Sequence, residues 1–426
     1  GVRIYALLAL GTWRDSSLAP YALARLDDSV VNVRVQAATA LGGLGGAQAV
    51  AALLAARRDA PAWALRREAL LALARADSTA FQTAAADWAA SLDWRERAAA
   101  AEGWAVTRPG EPGWRDDPDG RVVAAALQAW SSEVPGIDPA LLAAARALIG
   151  HPDAGVRSVA ADILARAADP ADLPALAAAW HAADQDSFPE AAQSALGALA
   201  AIAARSDTAA ALVERRFLAA TSAPPSYLLR RWAAERWPAA AARWGRALPL
   251  ETRRGSAEYR DIVRRRRLGA PAGRRPRARF ETDGAGTFEV ELLGDEAPLT
   301  VEHFVTLARS GFFDGHRWHR VVPNFVVQDG DPRGDGWGGP PLPRGPRHAY
   351  AIRDEINRVR YAGPVLGMAL SGPDTGNSQW FVNLSPQPHL DGTYTVFGRV
   401  VRGPGLSALQ AITQGDRITR VRVSVH

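Results

Sequence analysis

The sequence predicts a multidomain protein: an all-α solenoid followed by an all-β closed barrel with two helices. Three observations carry this. A helical frame recurs through the first half at intervals of 31, 32, 31, 26, 34 and 32 residues. Alanine falls from 75 copies in residues 1–250 to 13 in residues 251–426. Between the halves, residues 251–279 hold eleven arginines against Glu251, Glu258 and Asp261, so the basic excess of the chain is confined to one segment. The expected division is a solenoid over 1–245, an arginine-rich linker over 246–279 and a compact domain over 280–426.

Composition narrows the chemistry. At 48% apolar and 22% charged, the chain is not globally disordered, and no apolar run is long enough to span a membrane. The absence of cysteine excludes disulfides, thiolate metal sites and a cysteine nucleophile, and every basic residue other than histidine is arginine, which excludes a lysine base or Schiff base. The only methionine is Met368, so residue 1 reads as the start of a processed product or fragment, with any signal peptide and further repeats expected upstream. On this ground the compartment reading leans to a bacterial cell envelope over the cytoplasm.

In chain order, the frame V-R-x-x-A-x-x-A-L opens at Val2-Arg3, Val33-Arg34, Leu65-Arg66 and Val156-Arg157, with weaker copies near Arg97, Val123 and Pro189. Its apolar spacing makes each copy one amphipathic helix, and alanines suit close helix approach. Asp27-Asp28, Asp93, Asp119 and Asp153 precede the frames as helix caps. A second helix fits in each interval, as in Ala47–Ala56 and Leu173–Trp180. Trp63, Trp94, Trp104, Trp130, Trp180, Trp232 and Trp237 read as core or interface fillers. The repeat resembles the HEAT-like family in a short form, which implies a stacked array with a long surface for a partner.

Beyond the linker, Phe288–Leu292 alternates as a strand after a Gly-rich turn. Thr300 caps a helix bearing Val301, Phe304, Val305 and Ala308, stopped by Gly311. Trp318–Val322, Phe325–Gln328, Val365–Leu370, Gln379–Asn383 and Thr393–Val400 read as strands. Leu406–Ile412 reads as a helix and Ile418–Val425 as the closing strand. Residues 330–346, with five prolines and six glycines, form a long irregular loop in which Arg333-Gly334-Asp335 is read as accidental.

Four segments in order resemble the cyclophilin peptidyl-prolyl isomerases: Phe288–Phe304; Trp318-His319-Arg320 through Pro323, Phe325, Gln328 and Asp331; Ser378-Gln379-Trp380-Phe381; and Leu390-Asp391-Gly392 through Val396-Phe397-Gly398. The resemblance implies rotation about peptidyl–proline bonds, whose barrier of ~18–20 kcal/mol comes from amide resonance. The twisted transition state carries a lone pair on the proline nitrogen, which a fixed cationic donor stabilises more than the planar ground state. By match to the family motif, Arg320 would be that donor. Phe325, Val326, Phe381 and Leu390 would form the proline pocket, and Gln328 would bond the substrate carbonyl. Gln379, the main chain at Leu370, Ser371, His389 and Tyr394 would complete the groove. No metal or other cofactor is implied. The expected partners are proline-containing peptides or unfolded proteins, with a protein partner on the solenoid and no nucleic acid.

Departures from the family pattern set further expectations. Val326 stands where Met is common, and Leu370-Ser371 replaces Asn-Ala. His389 takes a Trp position, implying weak cyclosporin binding, and Tyr394 takes a His position. Asp329 replaces a glycine: it would place a carboxylate near Arg320 and, if the turn needs positive φ, cost ~1–2 kcal/mol. His316, His319 and Asp314 do not read as a metal site, since i, i+3 spacing on a strand puts the imidazoles on opposite faces. The arginine run reads as a solvated, extended linker that lets the solenoid present a client to the barrel. The competing reading is a catalytically weak scaffold that binds proline peptides.

Overall fold

The computed structural model describes residues 1–108, 113–183, 186, 189–245, 254–268, 275–340 and 351–424. Its first half is a stack of helices. The stack opens with α1 (Val2–Thr12), α2 (Ala19–Leu23), α3 (Val31–Leu44), α4 (Ala47–Asp59) and α5 (Trp63–Ala76). It continues through α6 (Ser78–Ala89), α7 (Trp94–Thr107), α8 (Gly120–Glu133), α9 (Pro139–Leu148) and α10 (Ala154–Ala167). It ends with α11 (Leu173–Ala182), α12 (Glu190–Ala203), α13 (Asp207–Arg216), α14 (Tyr227–Arg236) and α15 (Pro238–Trp244).

The frame helices α1, α3, α5, α7, α8, α10 and α12 pack each on the next and form one layer. Small residues permit this approach: a Cβ added at Gly43 would sit 2.3 Å from the Gly11 carbonyl oxygen. The recurring arginine has a structural use that its spacing does not reveal. Arg34, Arg66, Arg97 and Arg157 each donate through Nη1 to the carbonyl six residues earlier, at Asp28, Ala60, Ser91 and His151, over 3.1, 2.9, 2.9 and 2.7 Å. Each therefore ties the loop entering its own helix. Arg97 and Arg157 also reach the next repeat, at Asp117 and Asp186. Asp93, Asp119 and Asp153 cap α7, α8 and α10 as expected. Asp28 accepts from the Val30 amide, one step outside α3.

One interval departs from the expected pairing. No second helix stands between α7 and α8 among the described residues. This is the short 26-residue interval, which leaves too little chain for another helix. Buried Trp114 fills the space there, edge-on to Trp130 at 6.5 Å.

The segment between the halves is not an extended chain where it is described. It carries α16 (Ser256–Val263) and a π-helical turn over Arg264–Leu268. Arg266 pairs with Glu302 at 2.6 Å, and Arg275 with Glu291 at 2.8 Å and with Asp295. The expected linker also runs into a strand, β1 (Arg277–Thr282), whose alternation buries Ala278, Phe280 and Thr282.

The second half continues with β2 (Gly286–Leu292), α17 (Pro298–Arg309), β3 (Arg320–Val322) and β4 (Val326–Asp329). It closes with β5 (Val365–Met368), β6 (Trp380–Asn383), β7 (Val396–Val400), α18 (Gly405–Ala411) and β8 (Ile418–Ser424). The strands form one antiparallel sheet in the order β3-β4-β6-β5-β7-β2-β1-β8. The expectation of a closed barrel is corrected: the sheet is a half-barrel. Its end strands β3 and β8 do not pair; the segments ahead of them meet at the isolated bridge Arg317↔Arg417 and a few backbone hydrogen bonds around it. Phe280, Phe288, Phe304, Phe313, Trp318, Trp380 and Phe397 fill its core. Thr300 lies inside α17 and is not its cap. Glu355 takes that role, accepting from the Leu299 and Thr300 amides at 3.1 and 2.7 Å.

The halves are docked along a row of helix starts. The first turns of α3, α5, α7, α8, α10, α12 and α14 all face the isomerase-like half. Asn32 donates to the Ile412 carbonyl at 2.9 Å, and the Trp63 ring lies against Gly415. Arg121 donates to the Arg333 carbonyl at 2.8 Å, and Arg333 pairs with Asp153 at 2.9 Å. Tyr227 and Arg231 both bond Asp374 at 3.1 Å. Arg333-Gly334-Asp335 is thus a docking loop and not accidental sequence, with Trp337 packed on the solenoid core beside Gly155.

Candidate active site

The pairing of β3 with β4 sets Arg320 opposite Gln328, on one face of the sheet. The next pairing, β4 with β6, sets Gln328 opposite Phe381. Register therefore assembles the site. Arg320 Nη1 donates to Gln328 Oε1 at 3.1 Å, and Gln328 Nε2 donates to Gln379 Oε1 at 3.1 Å. Gln379 Nε2 donates in turn to the carbonyls of Gly336 and Gly338, both at 2.9 Å. The guanidinium lies 5.7 Å from the centre of the Phe325 ring. Desolvation lowers its pKa from the usual value, and the group stays a cation.

Beside it lies an apolar cluster of Val326, Phe381 and Leu390, all buried, with Phe325 and Tyr394 packed on it. Phe325 stacks on His389 at 5.8 Å, and Phe381 meets Tyr394 edge-on at 5.6 Å. Leu370 and Ser371 lie past the end of β5, lining a cavity with Gln328 and Gln379. Gln328 lies opposite Phe381, so the apolar cluster adjoins the polar row of Arg320, Gln328 and Gln379, with Leu370 and Ser371 lining the cavity beside Gln328. Sequence reasoning missed Tyr361, which is buried in the same apolar cluster and stacks on Phe381 at 5.6 Å. It also missed Trp337 and the Gly336 and Gly338 carbonyls that hold Gln379; the glycine richness of that loop was the available signal.

Asp329 does not act as expected. Strand alternation turns it away from Gln328, so it is fully buried and lies 3.1 Å from His319 Nδ1, not against Arg320. Its φ is not positive; the glycine-only position is the next residue, Gly330, at φ 96. A Cβ there would sit 2.1 Å from the Ser378 carbonyl oxygen. Burial pushes the Asp329 carboxyl up to about 6. The two imidazoles that strand spacing was expected to separate both approach this carboxyl, His316 at 4.0 Å and His319 at 3.1 Å. Residues 315–319 are not regular strand, so alternation does not apply. No grouping of three metal-ligating side chains occurs among the described residues.

His303 of α17 is buried, and its Nε2 is 2.7 Å from the Asn377 carbonyl oxygen. It steadies the segment that presents Gln379. Burial pulls its pKa down to about 4, so the ring is neutral at physiological pH.

An open antiparallel half-barrel that sets a cation beside an apolar cluster is suited to acting by fixed electrostatics. Comparison with known proteins agrees. The model of the cyclophilin type peptidyl-prolyl cis-trans isomerase family matches residues 277–425, and that of HEAT repeats matches residues 1–74. The peptidyl-prolyl cis-trans isomerase of Synechococcus elongatus is 41% identical over 138 residues, 32% of this chain and 90% of that one. Isomerase CYP18-2 of Arabidopsis thaliana is 42% identical over 152 residues, 35% of this chain and 89% of that one. A solved cyclophilin type isomerase of Cryptosporidium parvum is 27% identical with a TM-score of 0.32, covering 35% of this chain and 98% of that one. The chain belongs to the cyclophilin-type peptidyl-prolyl cis-trans isomerases and carries HEAT repeats ahead of the isomerase domain.

Proposed function

We propose that the chain isomerises prolyl bonds in protein clients, with Arg320 as the donor to the pyramidal proline nitrogen. The proline ring seats on Phe325, Val326, Phe381 and Leu390. Gln328 holds the preceding carbonyl, and Gln379 orients Gln328. The carrying observation is the single face that presents Arg320, Gln328 and the apolar pocket together. The Arg320 guanidinium is exposed in the free site, and a bound substrate that covers it would strengthen its interaction with a developing lone pair. The reaction needs no proton transfer, so neutral side chains suffice around the donor. The HEAT repeats support a further role in protein association, which suits an enzyme whose groove contacts only a few residues of its substrate.

Exchange spectroscopy on an Ala-Pro peptide tests the assignment. The whole chain should accelerate cis–trans exchange, and Arg320→Ala should lose ~10²–10³ of the acceleration. Equal rates for wild type and variant would remove Arg320 from the chemistry and favour a proline-binding scaffold.

A further inference from the structure

We propose that Glu190, contributed by the solenoid, completes the substrate groove as a subsite for a cationic side chain, an arginine or lysine near the proline of the peptide. This rests on the isomerase reading and adds a selectivity to it.

A cavity of ≈ 150 Å³ lies at the seam of the two halves. The isomerase domain lines it with Gln328, Gln379, Leu370 and Trp337, and α12 of the solenoid lines it with Glu190. Gln328, which accepts from Arg320, lines it, so one side chain separates the cavity from the donor. Every other side chain lining it is uncharged, so Glu190 supplies the only formal charge among the described residues there.

That charge is poorly satisfied. Glu190 Oε2 is closed to solvent and has no hydrogen-bond partner among the described residues. An unpaired buried carboxylate is costly, and a cation placed against it relieves that cost. The charged neighbours behind it, from both halves, do not provide the cation. Asp186 is taken by Arg157 at 2.5 Å, and Arg333 by Asp153 and Asp335 at 2.9 and 2.8 Å. Asp153, Asp186 and Arg333 line a second cavity of ≈ 260 Å³ behind Glu190, together with Trp337. Desolvation, with Asp186 adding to it, raises the Glu190 carboxyl to about 7. A substrate cation favours the ionised form.

Neither half holds this subsite alone. Trp337 is packed on the solenoid core and also lines the cavity, so the seam is fixed and not a chance gap.

The test uses the whole chain and Ala-Pro peptides carrying Arg, Ala or Glu at each position flanking the pair. At one position wild type should prefer Arg over Glu by about tenfold in kcat/KM, chiefly through KM. Glu190→Gln should reduce that preference to within about twofold, and Glu190→Arg should invert it. The wild-type preference should rise from pH 6 to pH 8 as the carboxyl ionises, while Glu190→Gln stays flat. Activity without charge preference, or a preference that survives Glu190→Gln, overturns the subsite and leaves the isomerase reading standing. A chain that accelerates none of the peptides overturns both.

Discussion

Asp329 and His303 bury opposite titrations in the isomerase domain. Asp329 has its carboxyl raised to about 6, so its contribution to stability is full below the unfolded value and is lost as pH rises through about 6. His303 is depressed to about 4, so its contribution is present above about 6.5 and is lost as pH falls toward 4. Each is worth on the order of 2–3 kcal/mol, and the two slopes oppose one another between pH 4 and pH 6.5. Asp329→Asn should therefore gain on wild type in chemical unfolding as pH rises from 4 to 6.5. His303→Gln should gain on wild type as pH falls across the same window. Curves parallel to wild type for either variant contradict the burial argument for that residue. At this scale the sequence was informative where function and strand alternation coincide: Arg320, Gln328 and Phe381 share a face by register. It misled at Asp329, because a motif position does not say which side of the strand a replacement faces.

The elements show where composition misdirects. Eleven arginines in residues 251–279 disguised β1, although Ala278, Phe280 and Thr282 alternate with Arg277, Arg279 and Glu281 in the manner of an ordinary half-buried strand. The same arginines are less free than their number suggests. Arg264 pairs with Asp261, Arg266 with Glu302, and Arg275 with Glu291 and Asp295. Duplex DNA should therefore bind only weakly, and binding should vanish by moderate salt. Sub-micromolar affinity at physiological ionic strength, lost on replacing Arg264–Arg267, is the contrary result. The solenoid helices were the most legible elements, since their period is written in the V-R frame. Whether the sheet closes depends on how its two end strands meet, and alternation within a strand carries no information about that.

Across the whole molecule, the expectation of two halves joined by an extended tether gives way to one docked body. Helix starts along the solenoid meet the isomerase domain at Ile412, Gly415, Arg333 and Asp374. These contacts join residues far apart in sequence, and no local pattern announces them. They also reach the proposed site. Arg320 bonds Gln328, Gln328 bonds Gln379, and Gln379 is held by the loop whose Arg333 and Trp337 are anchored in the repeats. The row that faces the isomerase domain is occupied by it, so any partner of the repeats would have to sit elsewhere on them or span the seam. In an independent tether, an interface change would leave a short peptide untouched. The most direct measurement is cis–trans exchange of a short Ala-Pro peptide by the whole chain, wild type against Arg333→Ala. A docked body predicts a loss of about 3–10-fold with the fold intact by circular dichroism, because the support of Gln379 is loosened. An unchanged rate would contradict it and restore two domains that act alone.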